Sequence, residues 1–117
     1  MKKLLCVDDN PEMLNFLVEF LGSEFAIVGT LTSGSSVVAA AARLDPDIIL
    51  LDIDLGDTNG FSVAEQLRDS GCRAKFVFLS VYTSVDFIEA AEALGAAGYV
   101  SKTQIATQLI ETLRRVV

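Results

Sequence analysis

Four places in the chain carry side chains that could do chemistry, Asp8-Asp9, Asp52, Ser80 and Lys102, and each follows a short apolar run. Carboxylates gathered at one point repel by roughly 1 to 4 kcal/mol per pair, depending on solvent exposure, so three acids together call for a cation. With oxygen donors alone, the fitting ion is Mg2+ or Mn2+ rather than Zn2+. The absence of histidine removes the commonest general base and nitrogen ligand. A carboxylate beside a divalent ion, an ammonium group and a hydroxyl can accept a phosphoryl group, which needs an in-line oxygen nucleophile and positive charge on the equatorial oxygens. In that scheme Asp52 attacks, the ion and Lys102 neutralise, and Ser80 holds one phosphoryl oxygen.

These groups meet only if the runs before them are strands of one sheet. Leu4–Val7, Phe25–Leu31, Ile48–Leu51, Phe76–Leu79 and Gly98–Val100 read as five strands. The third, apolar throughout, suits a strand buried on both faces. Between and after the strands lie helical stripes such as Leu14, Leu17, Val18 and Leu21, or Ile105, Leu109, Leu113 and Val116. Asn10-Pro11 suits a helix start, while Asp45-Pro46 and Gly95 suit helix ends. Strands alternating with helices predict an α/β fold with right-handed crossovers and helices on both faces of a parallel sheet. In the flavodoxin-like order 2-1-3-4-5, the first and third strands lie side by side at about 5 Å. Their terminal carboxylates then converge at the carboxyl edge, where ligands collect in such sheets.

The 117 residues suit one domain, and 51% hydrophobic with 21% charged residues suits a folded one. A net charge of −7 argues against nucleic acid binding by this domain and favours cations or basic partners. Cys6 sits in a strand-like run and Cys72 in a turn, so a reduced, cytoplasmic setting is expected without a disulfide. No apolar stretch reaches the length of a membrane span or a signal-peptide core.

Taken together and in order, Asp8-Asp9, Leu51-Asp52-Ile53 with Asn59-Gly60 downstream, Leu79-Ser80 and Gly98-Tyr99-Val100-Ser101-Lys102 resemble the receiver domain of two-component response regulators, from end to end of the chain. The resemblance implies a CheY-like fold with Asp52 as phosphoacceptor, charged by a histidine kinase or phosphotransfer protein. It implies that Asp9 ligates Mg2+ directly, that Asp8 assists partly through water, and that Asp52 and the backbone carbonyl of Asp54 complete the protein ligands. It also implies a switch pair, with Ser80 moving toward the phosphoryl group and Tyr99 rotating inward behind it. The Gly95–Tyr99 segment and the Arg114-Arg115-Val116 ending are similar to receivers of the LuxR/NarL type, which carry a helix-turn-helix output domain. Residues 1–117 would then be one receiver domain, the N-terminal part of a longer regulator. Its activated form would dimerise through the fourth helix, fifth strand and fifth helix.

The sequence also departs from the family pattern. Gly56 stands where proline is usual, so a less rigid acceptor loop is expected, and Thr103 follows Lys102 where proline is common. Val81 replaces the usual alanine or glycine and could narrow access, while Asp54 and Tyr82 occupy variable positions expected to modulate phosphoryl lifetime. Asp57 reads as an exposed loop acid. Two other functions remain to be weighed: a Mg-dependent phosphatase with an aspartate nucleophile, faintly echoed by Asp52-Ile53-Asp54, and a receiver-like interaction module that works without phosphorylation. The receiver reading makes the chain no turnover enzyme beyond its own phosphorylation and dephosphorylation.

Overall fold

The computed structural model describes residues 1–116. Strands β1 (Lys3–Val7), β2 (Ala26–Leu31), β3 (Ile48–Leu51), β4 (Lys75–Ser80) and β5 (Gly98–Ser101) alternate with helices α1 (Pro11–Leu21), α2 (Val37–Leu44), α3 (Gly60–Asp69), α4 (Val85–Ala93) and α5 (Ile110–Val116). The sheet is parallel, in the order β2-β1-β3-β4-β5. This is the expected doubly wound arrangement. Strand side chains alternate between faces, and the alternation sorts them into two cores. Leu5, Val7, Ile49, Leu51 and Phe78 pack under α2 and α3, whereas Leu4, Cys6, Ile48, Leu50 and Val77 pack under α1 and the C-terminal helix.

The helix starts follow from the capping residues. Asn10 Oδ1 accepts the Glu12 N–H at 2.9 Å ahead of Pro11, and Asn59 Oδ1 accepts the Ser62 N–H at 2.9 Å at the start of α3. Leu14, Leu17 and Leu21 are buried from α1, and Val63, Ala64 and Leu67 from α3. On α4 only Ala91 is fully buried, and Phe87, Ala90 and the following Leu94 are half-buried. Gly95 ends this helix at φ 85°, the left-handed conformation glycine permits. The last helix begins differently from its sequence pattern. A 3-10 turn at Lys102–Gln104 and a π turn at Ile105–Leu109 precede the regular α-helix, while Ile105, Leu109 and Leu113 still face the core.

Candidate functional site

Register brings the acids together. Val7 pairs with Leu51 across β1 and β3, so Asp8 and Asp52 lie one step beyond the last paired residues on adjacent strands. The ladder continues into them: Asp52 N–H donates to the Val7 carbonyl and Asp8 N–H to the Leu31 carbonyl, each at 3.0 Å. Carboxylate oxygens of Asp8, Asp9 and Asp52 all fall within 4.8 Å of one another. Asp8 and Asp52 are buried, at 1% and 5% exposure, and Asp9 faces solvent. Ser101 pairs with Ser80 across β4 and β5, which sets Lys102 just past the same edge. Its Nζ reaches back across the sheet to Asp8 Oδ2 at 2.8 Å and Asp52 Oδ2 at 3.0 Å. It does so with no cis peptide among the described residues, although Thr103 follows it.

The Asp52 carboxylate is thus held at both oxygens, Oδ2 by Lys102 and Oδ1 by the Ile53 N–H at 2.7 Å. Asp8 Oδ1 accepts the Asn10 N–H at 2.9 Å, tying the first acid to the start of α1. Burial pushes the Asp52 carboxyl above its ordinary range; Lys102 draws it part way back, and the charge on Asp8 adds to the rise. For Lys102, burial pulls downward, but the hydrogen bonds it donates to Asp8 and Asp52 outweigh it and hold the ammonium above its usual value. The cation is therefore permanent at neutral pH. A poorly hydrated carboxylate beside a fixed positive charge is a competent nucleophile toward an anionic phosphoryl donor. Burial and the neighbouring Asp8 push the Cys6 thiol up to about 12, so this cysteine is inert and structural.

Ser80 is fully buried at the end of β4, and its Oγ accepts the Tyr82 N–H at 3.0 Å. Tyr99 pairs with Phe78 in register, its ring lies 6.3 Å from the Phe78 ring, and its hydroxyl donates to the Tyr82 carbonyl. Burial pushes the Tyr99 phenol up, with the Ser80 hydroxyl drawing it part way back and the Asp52 charge raising it further. Tyr82 stacks on Phe87 at 4.7 Å, and Val81 is 63% exposed beside it. Asp54 points its carboxylate at solvent, and its backbone bridges to Asn59 across the β3–α3 loop.

Gly56 adopts φ 79°, a conformation closed to proline and strained for other L residues, so glycine here suits the turn itself. Asp57, read as a plain surface acid, is exposed yet accepts three hydrogen bonds from the turn before α2. Its partners lie 22 to 24 residues away, and no local pattern links them.

The oxygen donors of Asp8, Asp9 and Asp52 suit a hard divalent cation, because they offer neither nitrogen nor sulfur and lie at one edge with Asp9 open to solvent. Two buried acids with a third open to solvent, a lysine reaching over them and a serine at the end of β4 thus meet at the carboxyl edge of a CheY-like sheet. Residues 4–114 match the response regulator receiver domain, and the chain belongs to that family. Within it, the similar proteins are of the LuxR/NarL type. The chain is 31% identical over 117 residues to the nitrate/nitrite response regulator protein homolog of Haemophilus influenzae, covering 97% of this chain and 56% of that protein. It is 29% identical over 119 residues to the uncharacterized transcriptional regulatory protein YvfU of Bacillus subtilis, covering 100% of this chain and 60% of that protein. The crystal structure of a LuxR-family DNA-binding response regulator from Staphylococcus aureus superposes with a TM-score of 0.92 at 19% identity, covering 99% of this chain and 98% of that one, a likeness of fold. The chain spans a little over half the length of the curated relatives it matches. Family membership makes it a receiver domain of two-component response regulators, consistent with a phosphoacceptor signalling switch, and favours neither the phosphatase nor the phosphorylation-independent module. No helix among the described residues is long and apolar enough to cross a membrane.

Proposed function

We propose that Asp52 is the phosphoacceptor of a Mg2+-dependent conformational switch. The observation that carries this is the bridging of Asp8 and Asp52 by Lys102 Nζ at 2.8 and 3.0 Å, with Asp9 beside them and open to solvent. Asp9 would ligate the ion directly, Asp8 in part through water, and Asp52 and the Asp54 carbonyl would complete the protein's share. The ion, Mg2+ or Mn2+, would offset the charge that develops as the phosphoryl group moves. An Asp52 carboxylate oxygen attacks phosphorus in line; the new O–P bond forms as the bond from phosphorus to the donor's histidine nitrogen breaks, and that nitrogen keeps the electron pair. Lys102 stays on Asp52 and faces the incoming charge, and the Ser80 hydroxyl turns its hydrogen to a phosphoryl oxygen. Tyr99 already packs its ring toward Phe78, so its bond to the Tyr82 carbonyl ties the readout surface to the β4–α4 loop. Val81, Tyr82 and Asp54 would set how fast the acyl phosphate is lost.

The donor would be a histidine kinase or a phosphotransfer protein. The domain at residues 1–117 would be the receiver part of a longer cytoplasmic regulator with a helix-turn-helix output domain; the relatives' names speak of transcriptional regulation and DNA binding. Activation would drive homodimerisation through the face of α4, β5 and α5. Intact mass after treatment with acetyl phosphate and Mg2+ tests the central claim. One phosphoryl adduct is expected on the wild type and none on Asp52→Asn; an adduct that persists in the variant, or none in either protein, would refute it. Multiple turnover of a phosphomonoester would point instead to the phosphatase.

A further inference from the structure

We infer that Asp57 is a positioning residue for the metal and acceptor loop, clamping the β3–α3 loop onto the turn that precedes α2. Asp57 Oδ2 accepts the Ser33 hydroxyl at 2.8 Å and the Ser35 N–H at 3.2 Å, and Oδ1 accepts the Gly34 N–H at 3.1 Å. The turn itself is braced, because Ser33 and Ser35 hydroxyls bond at 2.8 Å and the Ser36 hydroxyl donates to the Ser33 carbonyl at 3.0 Å. The two segments also touch tightly beneath the carboxylate. A Cβ on Gly34 would lie 2.3 Å from Thr58 Cγ2 and 3.1 Å from Leu55 Cδ1, so side chains of the acceptor loop occupy that space.

Inside the loop, the Leu55 N–H donates to the Thr58 carbonyl at 3.2 Å, the Asp57 N–H to the Leu55 carbonyl at 2.9 Å, and the Gly60 N–H to the Ile53 carbonyl at 2.6 Å. Leu55 is buried, at 2% exposure. Asp54, whose carbonyl is put forward above as a metal ligand, therefore lies in a closed turn anchored by Leu55 below and Asp57 at the side. Gly56 gives the turn its positive φ without stiffening it, and Asp57 supplies an external tie. The Ser33 hydroxyl and the Gly34 and Ser35 amides hold the Asp57 carboxyl well below the usual range, at about 2, so the clamp is closed at every physiological pH. Its contribution is complete above the ordinary carboxylate value of 3.8 and lost only as pH falls through about 2.

This inference rests on the metal-dependent reading of the site, so its test uses Mg2+ itself as the probe and does not depend on phosphorylation. Mg2+ would be titrated into wild type, Asp57→Ala and Asp57→Asn, following backbone amide shifts and the rise in melting temperature. The expected result is about tenfold weaker Mg2+ binding in Asp57→Ala, the low end for residues that support a metal ligand from behind. Asp57→Asn, which keeps an acceptor oxygen, should fall between. Ser33→Ala, which leaves Asp57 its two amide donors, should weaken binding less than Asp57→Ala. A lower melting temperature with unchanged Mg2+ affinity in Asp57→Ala would reduce Asp57 to a surface cap and overturn the inference. Wild type that binds Mg2+ but forms no adduct would sink the phosphoacceptor reading and leave this one standing; wild type that binds no Mg2+ would sink both.

Discussion

The two loops flanking the buried acids are built in opposite ways. The β3–α3 loop is tied down: Leu55 is 2% exposed, Asp57 takes three hydrogen bonds from another segment, and Gly60 lies so close to the Asp52 backbone that a Cβ would sit 2.2 Å from its carbonyl oxygen. The β4–α4 loop is held by little. Val81 and Val85 are 63% and 65% exposed, Ser84 caps α4 without a side-chain hydrogen bond, and α4 buries only Ala91 fully. Its ties are the Tyr82 N–H to Ser80, the Tyr99 hydroxyl to the Tyr82 carbonyl, and the Tyr82–Phe87 stack. Metal ligands and an in-line nucleophile need fixed geometry, whereas a segment that reports phosphorylation must be able to move at small cost in free energy. The contrast places the tighter packing on the β3–α3 side and the looser on the β4–α4 side, which suits the acceptor and readout roles proposed for them.

Breaking the rigid side should have the largest effect. Gly60→Ala drives a methyl into backbone rather than into a yielding side chain, so a loss of about 3 kcal/mol in urea unfolding is expected, along with loss of the Asp52 adduct. A loss under about 1 kcal/mol would mean that this loop is as pliant as the other. Lys102→Met keeps the packing stem and leaves two buried carboxylates facing each other. Solvent reaches the lysine tip, so the expected loss is about 2 kcal/mol, less than for a fully buried pair. Mg2+ should restore more stability to this variant than to the wild type, because the ion would take over the missing charge. The sign of the pH dependence follows from the raised Lys102 value: its stabilisation is complete below the ordinary 10.5 and fades as pH rises through the higher folded value, so the gap between wild type and variant should narrow in alkali. On the mobile side, Tyr82→Ala removes a half-exposed stack and should cost only about 0.5 to 1 kcal/mol. Amide exchange should quicken in the β4–α4 loop and stay unchanged across residues 54–59, which sharpens the comparison; faster exchange in both loops would erase it.

Much of this organisation was legible in the sequence because it is local. The apolar run Ile48–Leu51 became β3 with the same limits, Asn10-Pro11 opened α1, and Gly95 closed α4 in the left-handed conformation. Alternation of strand and helix patterns was enough for the parallel sheet, since right-handed crossovers leave few topologies. The convergence of Asp8, Asp9, Asp52 and Lys102 could be anticipated because strand order alone brings those strand ends together. The π turn after Lys102 and the half-buried packing of α4 were not legible, because they depend on how each helix seats on its neighbours.

Residue types and strand ends therefore determined the chemistry this protein can offer: oxygen donors, one fixed cation and a hydroxyl at a single edge. Only the tertiary structure decided how that edge is held. Asp57 reads as an ordinary loop acid in the linear sequence, and it becomes a clamp because packing of α2 against α3 brings the turn at Ser33–Ser35 within hydrogen-bonding distance. Gly56 reads as a loss of stiffness where proline is usual, and in the fold it supplies the positive φ that lets the turn close. Bonds between residues more than 20 positions apart depend on through-space geometry, which no spacing along the chain encodes.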